Sequence, residues 1–114
     1  MACPVQFQAY LLELFQGQLV SCYVTPPHMV EATDIYKLFS QAYSGEPFIS
    51  LPMKPPSLQD VRGTNHCHIY VRVDTRTEKI LVFSVIDNLW KGASSQAIQN
   101  LNIMFGYREA TGLE

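Results

Sequence analysis

At 114 residues and 12.9 kDa the chain holds one domain at most, with enough length for a hydrophobic core. A net charge of −2 and no run of Lys or Arg exclude the electrostatic footprint of a nucleic-acid binder, and no apolar stretch nears the roughly 20 residues of a membrane span. Hydrophobic residues at 47% against 16% charged predict that part of the surface is covered by another chain or domain.

The first 16 residues are apolar around Tyr10-Leu11-Leu12, but Glu13 breaks the run and no basic segment precedes it. They do not read as a secretory signal. Cys3, Cys22 and Cys67 are odd in number and widely spaced, which suits neither a disulfide framework nor a paired zinc site. Reduced thiols of a cytoplasmic protein are the simplest account.

Gln18 to Val24 predicts a strand. Thr25-Pro26-Pro27 then leads into a helix whose Ile35, Leu38, Phe39 and Ala42 keep the i, i+3, i+4, i+7 spacing of one apolar face. Glu31 and Asp34 suit its positive end, and Gly45 can stop it in a left-handed conformation. Phe48 to Leu51 reads as a short strand, and Pro52 to Gly63, with its prolines, as a loop.

Ile69, Val71 and Val73 alternate with Tyr70, Arg72 and Asp74, the pattern of a half-buried strand. Asp74 to Glu78 suits a hairpin loop, and the nearly all-apolar Ile80 to Ile86 predicts a strand buried on both faces. A last helix is expected from about Gly92 to Phe105, with Ala97, Ile98, Leu101, Met104 and Phe105 as its core stripe and Gly106 as its stop. Gln96, Gln99, Asn100 and Asn102 give it an amide face, suited to packing against something polar. Without a partner that face is expected to be solvated and the chain end to fray. The order of elements predicts an α+β layer, a sheet with helices on one side.

Directly after the apolar strand, Asp87-Asn88-Leu89-Trp90-Lys91-Gly92-Ala93 opens the last helix. A helix start offers unpaired N–H groups and a positive dipole end, suited to carboxamide oxygens, phosphates or carboxylates. Gly92 permits close backbone approach, Asn88 carries both donor and acceptor, and Lys91 adds charge. Spacing alone favours a plainer account: Asp87 or Asn88 caps the helix and Lys91 is solvated.

The run Val85-Ile86-Asp87-Asn88-Leu89-x-Lys91-Gly92-Ala93-x-x-Gln96-Ala97-Ile98-Gln99-Asn100-x-Asn102-x-Met104-Phe105-Gly106 resembles the C-terminal signature of N-acetyl-γ-glutamyl-phosphate reductases. Val61-x-Gly63-Thr64-Asn65-x-Cys67 is similar to a second block of that family, and Glu109-x-x-Gly112-Leu113 to its closing residues. Gln16 to Val24 is similar, more weakly, to a strand opening with Arg-Gly, so the resemblance covers about Gly17 to Glu114 and leaves 1–16 unmatched. It implies the C-terminal substrate/dimerisation domain of the semialdehyde dehydrogenase family, with a mixed sheet used for homo-oligomerisation.

The resemblance also implies NADP-dependent reduction of N-acetyl-γ-glutamyl phosphate to the semialdehyde, in arginine biosynthesis, through a thioester on a cysteine. An N-terminal Rossmann domain would be the partner against which the final helix packs. Asn88, Lys91 and Gly92 match the cofactor-binding turn, with Asn88 facing the nicotinamide carboxamide.

Several family features are missing. No Gly-x-Gly-x-x-Gly loop, Gly-Cys-Tyr-Pro-Thr nucleophile or His-Arg-His motif occurs, so no catalytic residue is assigned and the piece alone is expected to be inactive. Cys22 in Ser21-Cys22-Tyr23-Val24-Thr25-Pro26 stands too close to Asn88 to match the family nucleophile and reads as a buried strand cysteine. His66 and His68 fall on one face of a strand, but two ligands without a third make no metal site. They read as surface or interface histidines. Gln16 stands where the family has arginine, and Trp90 where a smaller apolar residue is usual. The alternative function is a catalytically dead dimerisation or interaction module.

Overall fold

The computed structural model describes residues 4–114; Cys3 and its expected thiol state lie outside them. Four strands form a single mixed sheet: β1 (Gln18–Val24), β2 (Ile49–Ser50), β3 (Cys67–Asp74) and β4 (Lys79–Ile86). Their spatial order is β1-β4-β3-β2, with β4 antiparallel to both β1 and β3 and β2 parallel to β3. Two helices complete the fold, α1 (Ala32–Ala42) and α2 (Ser95–Met104). The expected α+β class is what the structure shows.

The hairpin between β3 and β4 closes as its residues dictate. Asp74 accepts from the Arg76 N–H at 3.1 Å and from the Thr77 hydroxyl at 2.8 Å, holding its carboxyl below the usual range, and Glu78 takes a positive φ of 56°. The register pairs Cys67 with Ile86, Ile69 with Ser84 and Val73 with Ile80, and cross-strand partners share a face. Val73 lies beside Ala32 at the start of α1, and Ile86 beside the turn that leads into α2. Both helices therefore sit on the same face of the sheet.

The opposite face is covered at one end only. There the loop after β2 turns through a short 3-10 helix (Leu58–Asp60), whose Ser57 and Asp60 cap one another reciprocally. The buried core is small and lies on both faces of the sheet: Ile35, Phe48, Val61, Cys67, Ile69, Val85 and Leu113. The rest of the face opposite the helices is an open groove between Pro55, Pro56, Tyr70 and Leu81, and the Tyr70 and Phe83 rings stack across it at 6.1 Å.

Three expectations need correction. β4 is not buried on both faces: of its residues only Val85 is buried, because the sheet is a single layer open on much of one side. Cys22 is not a buried cysteine: β1 is an edge strand and all seven of its residues are exposed. The third concerns α2, whose faces are reversed. Of its amide side Gln99 and Asn102 are buried, at 8% and 7% exposure, and Asn100 stays exposed, while Ile98, Leu101, Met104 and Phe105 face out. The amides turn inward because the chain's own tail supplies their partners. Asn102 donates to the carbonyls of Glu109 and Thr111, both at 2.9 Å, and Asn65 donates to that of Leu113. The C-terminal residues are thus docked on the domain.

A further difference lies between β4 and α2. The expected first turn is a π-helix (Trp90–Ser94), in which the Gly92 N–H reaches the Asp87 carbonyl at 2.9 Å and the Ser94 N–H that of Leu89 at 3.0 Å. Wide turns of this kind concentrate at functional sites.

Candidate functional site

Asp87 organises the turn. It is fully buried, and its carboxylate accepts four hydrogen bonds. The Leu89 and Trp90 N–H groups meet Oδ1 at 2.9 and 3.1 Å, so Asp87 is the residue that caps the helix start. The Gln16 amide and the Gly63 N–H meet Oδ2 at 2.5 and 2.8 Å, tying in the segment before β1 and the loop before β3. Burial pushes this carboxyl up, but the donors of Gln16, Gly63, Trp90 and Leu89 outweigh it and hold the acid below its usual range.

Asn88 follows at the exposed edge of the same turn. Its Oδ1 accepts the Gly17 N–H at 2.7 Å. A backbone N–H can only donate, so the oxygen of the side chain is fixed toward Gly17 and the NH2 group is turned to the other side. Among the described residues that NH2 meets no acceptor. The site thus presents a donor, and a ligand group received here must be an acceptor such as a carbonyl oxygen.

Lys91 is half-buried rather than solvated. Its Nζ donates to Gln99 Oε1 at 2.5 Å and stands 5.3 Å from the centre of the Phe48 ring. Burial lowers its pKa, opposed by the nearby Cys67, Glu109 and Glu46. At Gly92 the missing side chain faces inward: a Cβ there would lie 3.2 Å from Ile86 Cδ1. Its close approach is to β4, which lets the turn lie flat on the strand. The structure therefore brings Asn88, Lys91 and Gly92 into one turn with different facings.

Of the residues that build this corner, Asp87 is legible in the sequence only as a helix cap, and Arg62 not at all. Asp87 stood there as one of two capping alternatives, and its links to Gln16 and Gly63 were not foreseen. Arg62, whose Nε donates to the Gln16 carbonyl at 2.6 Å and whose guanidinium lies 5.9 Å from the Phe15 ring, carried no local signal at all. The Gln16 departure was the only pointer to this corner.

His66 and His68 have ring centres 6.4 Å apart, and the Phe48 ring lies against His66 at 5.9 Å. Burial and the neighbouring His66 lower the His68 pKa against the pull of Asp60. Among the described residues no three His, Cys, Asp or Glu side chains gather as a metal site. Cys67 is buried, with its sulfur 3.3 Å from the Ser84 hydroxyl.

Comparison with known proteins gives a consistent result. The chain is 41% identical over 113 residues to an N-acetyl-gamma-glutamyl-phosphate reductase of Bacillus cereus (strain B4264), covering 97% of this chain and 33% of the relative. A reductase of the same name from Desulforudis audaxviator (strain MP104C) is 42% identical over 111 residues, covering 96% and 32%. The chain thus spans about a third of the length of these curated relatives. Its fold is similar to that of aspartate semialdehyde dehydrogenase II from Vibrio cholerae, with a TM-score of 0.64 at 23% identity over 82% of this chain and 28% of that one. The family described as "Semialdehyde dehydrogenase, dimerisation domain" matches residues 1–88, a span that takes in the first 16 residues as well as the sheet and Asn88. The chain belongs to that dimerisation-domain family.

Proposed function

We propose that this chain is the C-terminal portion of an NADP-dependent N-acetyl-γ-glutamyl-phosphate reductase, working in arginine biosynthesis in the cytoplasm, and that it is inactive without the rest of that protein. The observation that carries this reading is the identity with reductases of that name along nearly the whole chain. Residues 17–114 are the substrate/dimerisation domain, and the partner they require is a Rossmann domain. The outward apolar face of α2 (Ile98, Leu101, Phe105) is the surface that partner covers, and a second copy covers the open sheet face around Tyr70 and Phe83.

The turn at Asn88, Lys91 and Gly92 is the cofactor end of the site. Its donor set suits a nicotinamide: the Asn88 NH2, aimed away from Gly17, can donate to the carboxamide oxygen. When bound there, NADPH would supply the hydride that replaces the phosphate of the acyl phosphate, which leaves as inorganic phosphate. This chain's own part is to orient. Asp87 fixes the turn from beneath, Gln16 and Gly17 fix the side chains of Asp87 and Asn88, and Gly92 keeps the turn against β4.

The test is an assay of the full-length protein for phosphate-dependent reduction of NADP with N-acetylglutamate semialdehyde, beside the 114-residue chain alone. The full-length protein is expected to turn over and the chain alone to be inert. Asn88→Ala in the full-length protein should lower kcat/KM for the cofactor about tenfold, the worth of one lost hydrogen bond. Turnover by the isolated chain would sink the reading. A full-length protein that assembles yet shows no turnover would favour the interaction-module alternative.

A further inference from the structure

Four separate segments meet at one ammonium group. Lys91 sits in the π turn, and its Nζ donates to Gln99 in the middle of α2. The other end of the Gln99 amide donates to Glu109 Oε1 at 2.5 Å in the C-terminal tail, which Asn102 also grips through the Glu109 and Thr111 carbonyls. The ring facing Lys91 belongs to Phe48 at the entry to β2, and the Phe48 carbonyl accepts the Cys67 N–H of β3 at 2.8 Å.

We propose that Lys91 is a positioning residue, a latch that holds α2 and the tail to the sheet and thereby sets where Asn88 stands, rather than a residue that touches a ligand. Gln99 is buried, and its Oε1 has Lys91 as its donor; removing that donor strands an acceptor inside the domain. Burial disfavours the Lys91 charge more than Cys67 of β3, Glu109 of the tail and Glu46 before β2 restore it. What holds the ammonium in place is its bond to Gln99 and the Phe48 ring facing it. The inference stands on the contacts of this chain and not on the reductase reading, so either can fail without the other.

The experiment is hydrogen exchange, followed by mass spectrometry, on the full-length protein with Lys91→Met, Lys91→Arg, Gln99→Leu and the Lys91→Met/Gln99→Leu pair. Lys91→Met is expected to speed exchange about tenfold in peptides covering 95–114, while β3 and β4 stay as in wild type. Gln99→Leu also removes the bond to Glu109, so it should loosen 95–114 at least as much, and the pair should be no worse than Gln99→Leu alone, because the Lys91 link is already broken in it. Lys91→Arg should restore protection, since a guanidinium can donate to the same oxygen and stack on Phe48. Unchanged exchange in 95–114, equal loosening of sheet and helix, additive effects in the pair, or failure of Arg to rescue would each overturn the latch. Should Lys91→Met not fold, Gln99→Leu breaks the same link with the lysine retained, and Glu109→Gln, which keeps an acceptor for Gln99 and leaves the Lys91 bond intact, should leave exchange in 95–114 as in wild type.

Discussion

A buried carboxylate is an expensive choice for a turn unless each of its lone pairs is met, and at Asp87 four donors from three stretches of chain meet them. Asparagine in its place would turn an NH2 group toward at least one of those donors. Asp87→Asn is therefore expected to lower stability by about 2–3 kcal/mol at neutral pH, measured by urea unfolding. The folded pKa of Asp87 is depressed, so its contribution is fully present above the ordinary carboxyl value of about 4 and is lost as pH falls through the lowered folded value. Wild type should lose stability relative to Asp87→Asn across that acid window; parallel curves for the two would contradict this. In the sequence Asp87 was visible only as a possible cap. Its contacts to Gln16 and Gly63 join positions 71 and 24 residues apart, and no local pattern encodes such a meeting.

At the scale of elements, the strands and the position of the second helix are legible in the sequence, and the facing of that helix is not. Gln18–Val24 has the bounds its composition suggested, and Ile69, Val71 and Val73 alternate as a strand must. Periodicity located α2 but gave its faces the wrong way round. A stripe of apolar residues says which side can be buried, and here the amides won the interior because the tail offers carbonyls and a carboxylate to them. The π turn was beyond reach for a similar reason: it depends on the Asp87 cap and on the fit of Gly92 against Ile86, both set by tertiary contact. The reversal has a measurable consequence. Ile98→Asp should change the unfolding free energy of the chain by no more than about 0.5 kcal/mol, as befits an exposed position. The same change in the full-length protein should cost activity by loosening the contact between domains. A large loss of stability in the chain itself would mean that Ile98 is a core residue after all.

For the molecule as a whole, the core is small and the uncovered apolar surface large. Tyr23, Leu38, Trp90 and Phe105 are all between 45% and 70% exposed. The low share of charged residues points to covered surface, and the open sheet face and the outer side of α2 are two places in the fold that offer it, beside the apolar segment before β1. A charge placed in the first patch should separate copies without harming the fold. Phe83→Asp is expected to shift the sedimentation coefficient of the full-length protein to that of a single copy, with its circular dichroism unchanged. Retention of the larger species would move the contact between copies elsewhere.

The inward amides of α2 also bear on how the domain meets its partner. A helix that waits for another domain before satisfying its polar groups must fold as it binds, and the ordering entropy is then lost in the same step. Here Gln99 and Asn102 are already satisfied within the chain, and the tail is already fastened beneath them. On the docking proposed above, the apolar side would be presented by a preformed element, so that docking would proceed as one solid body against another. Almost all of the free energy of covering Ile98, Leu101 and Phe105 would then remain available to hold that proposed partner in a single orientation.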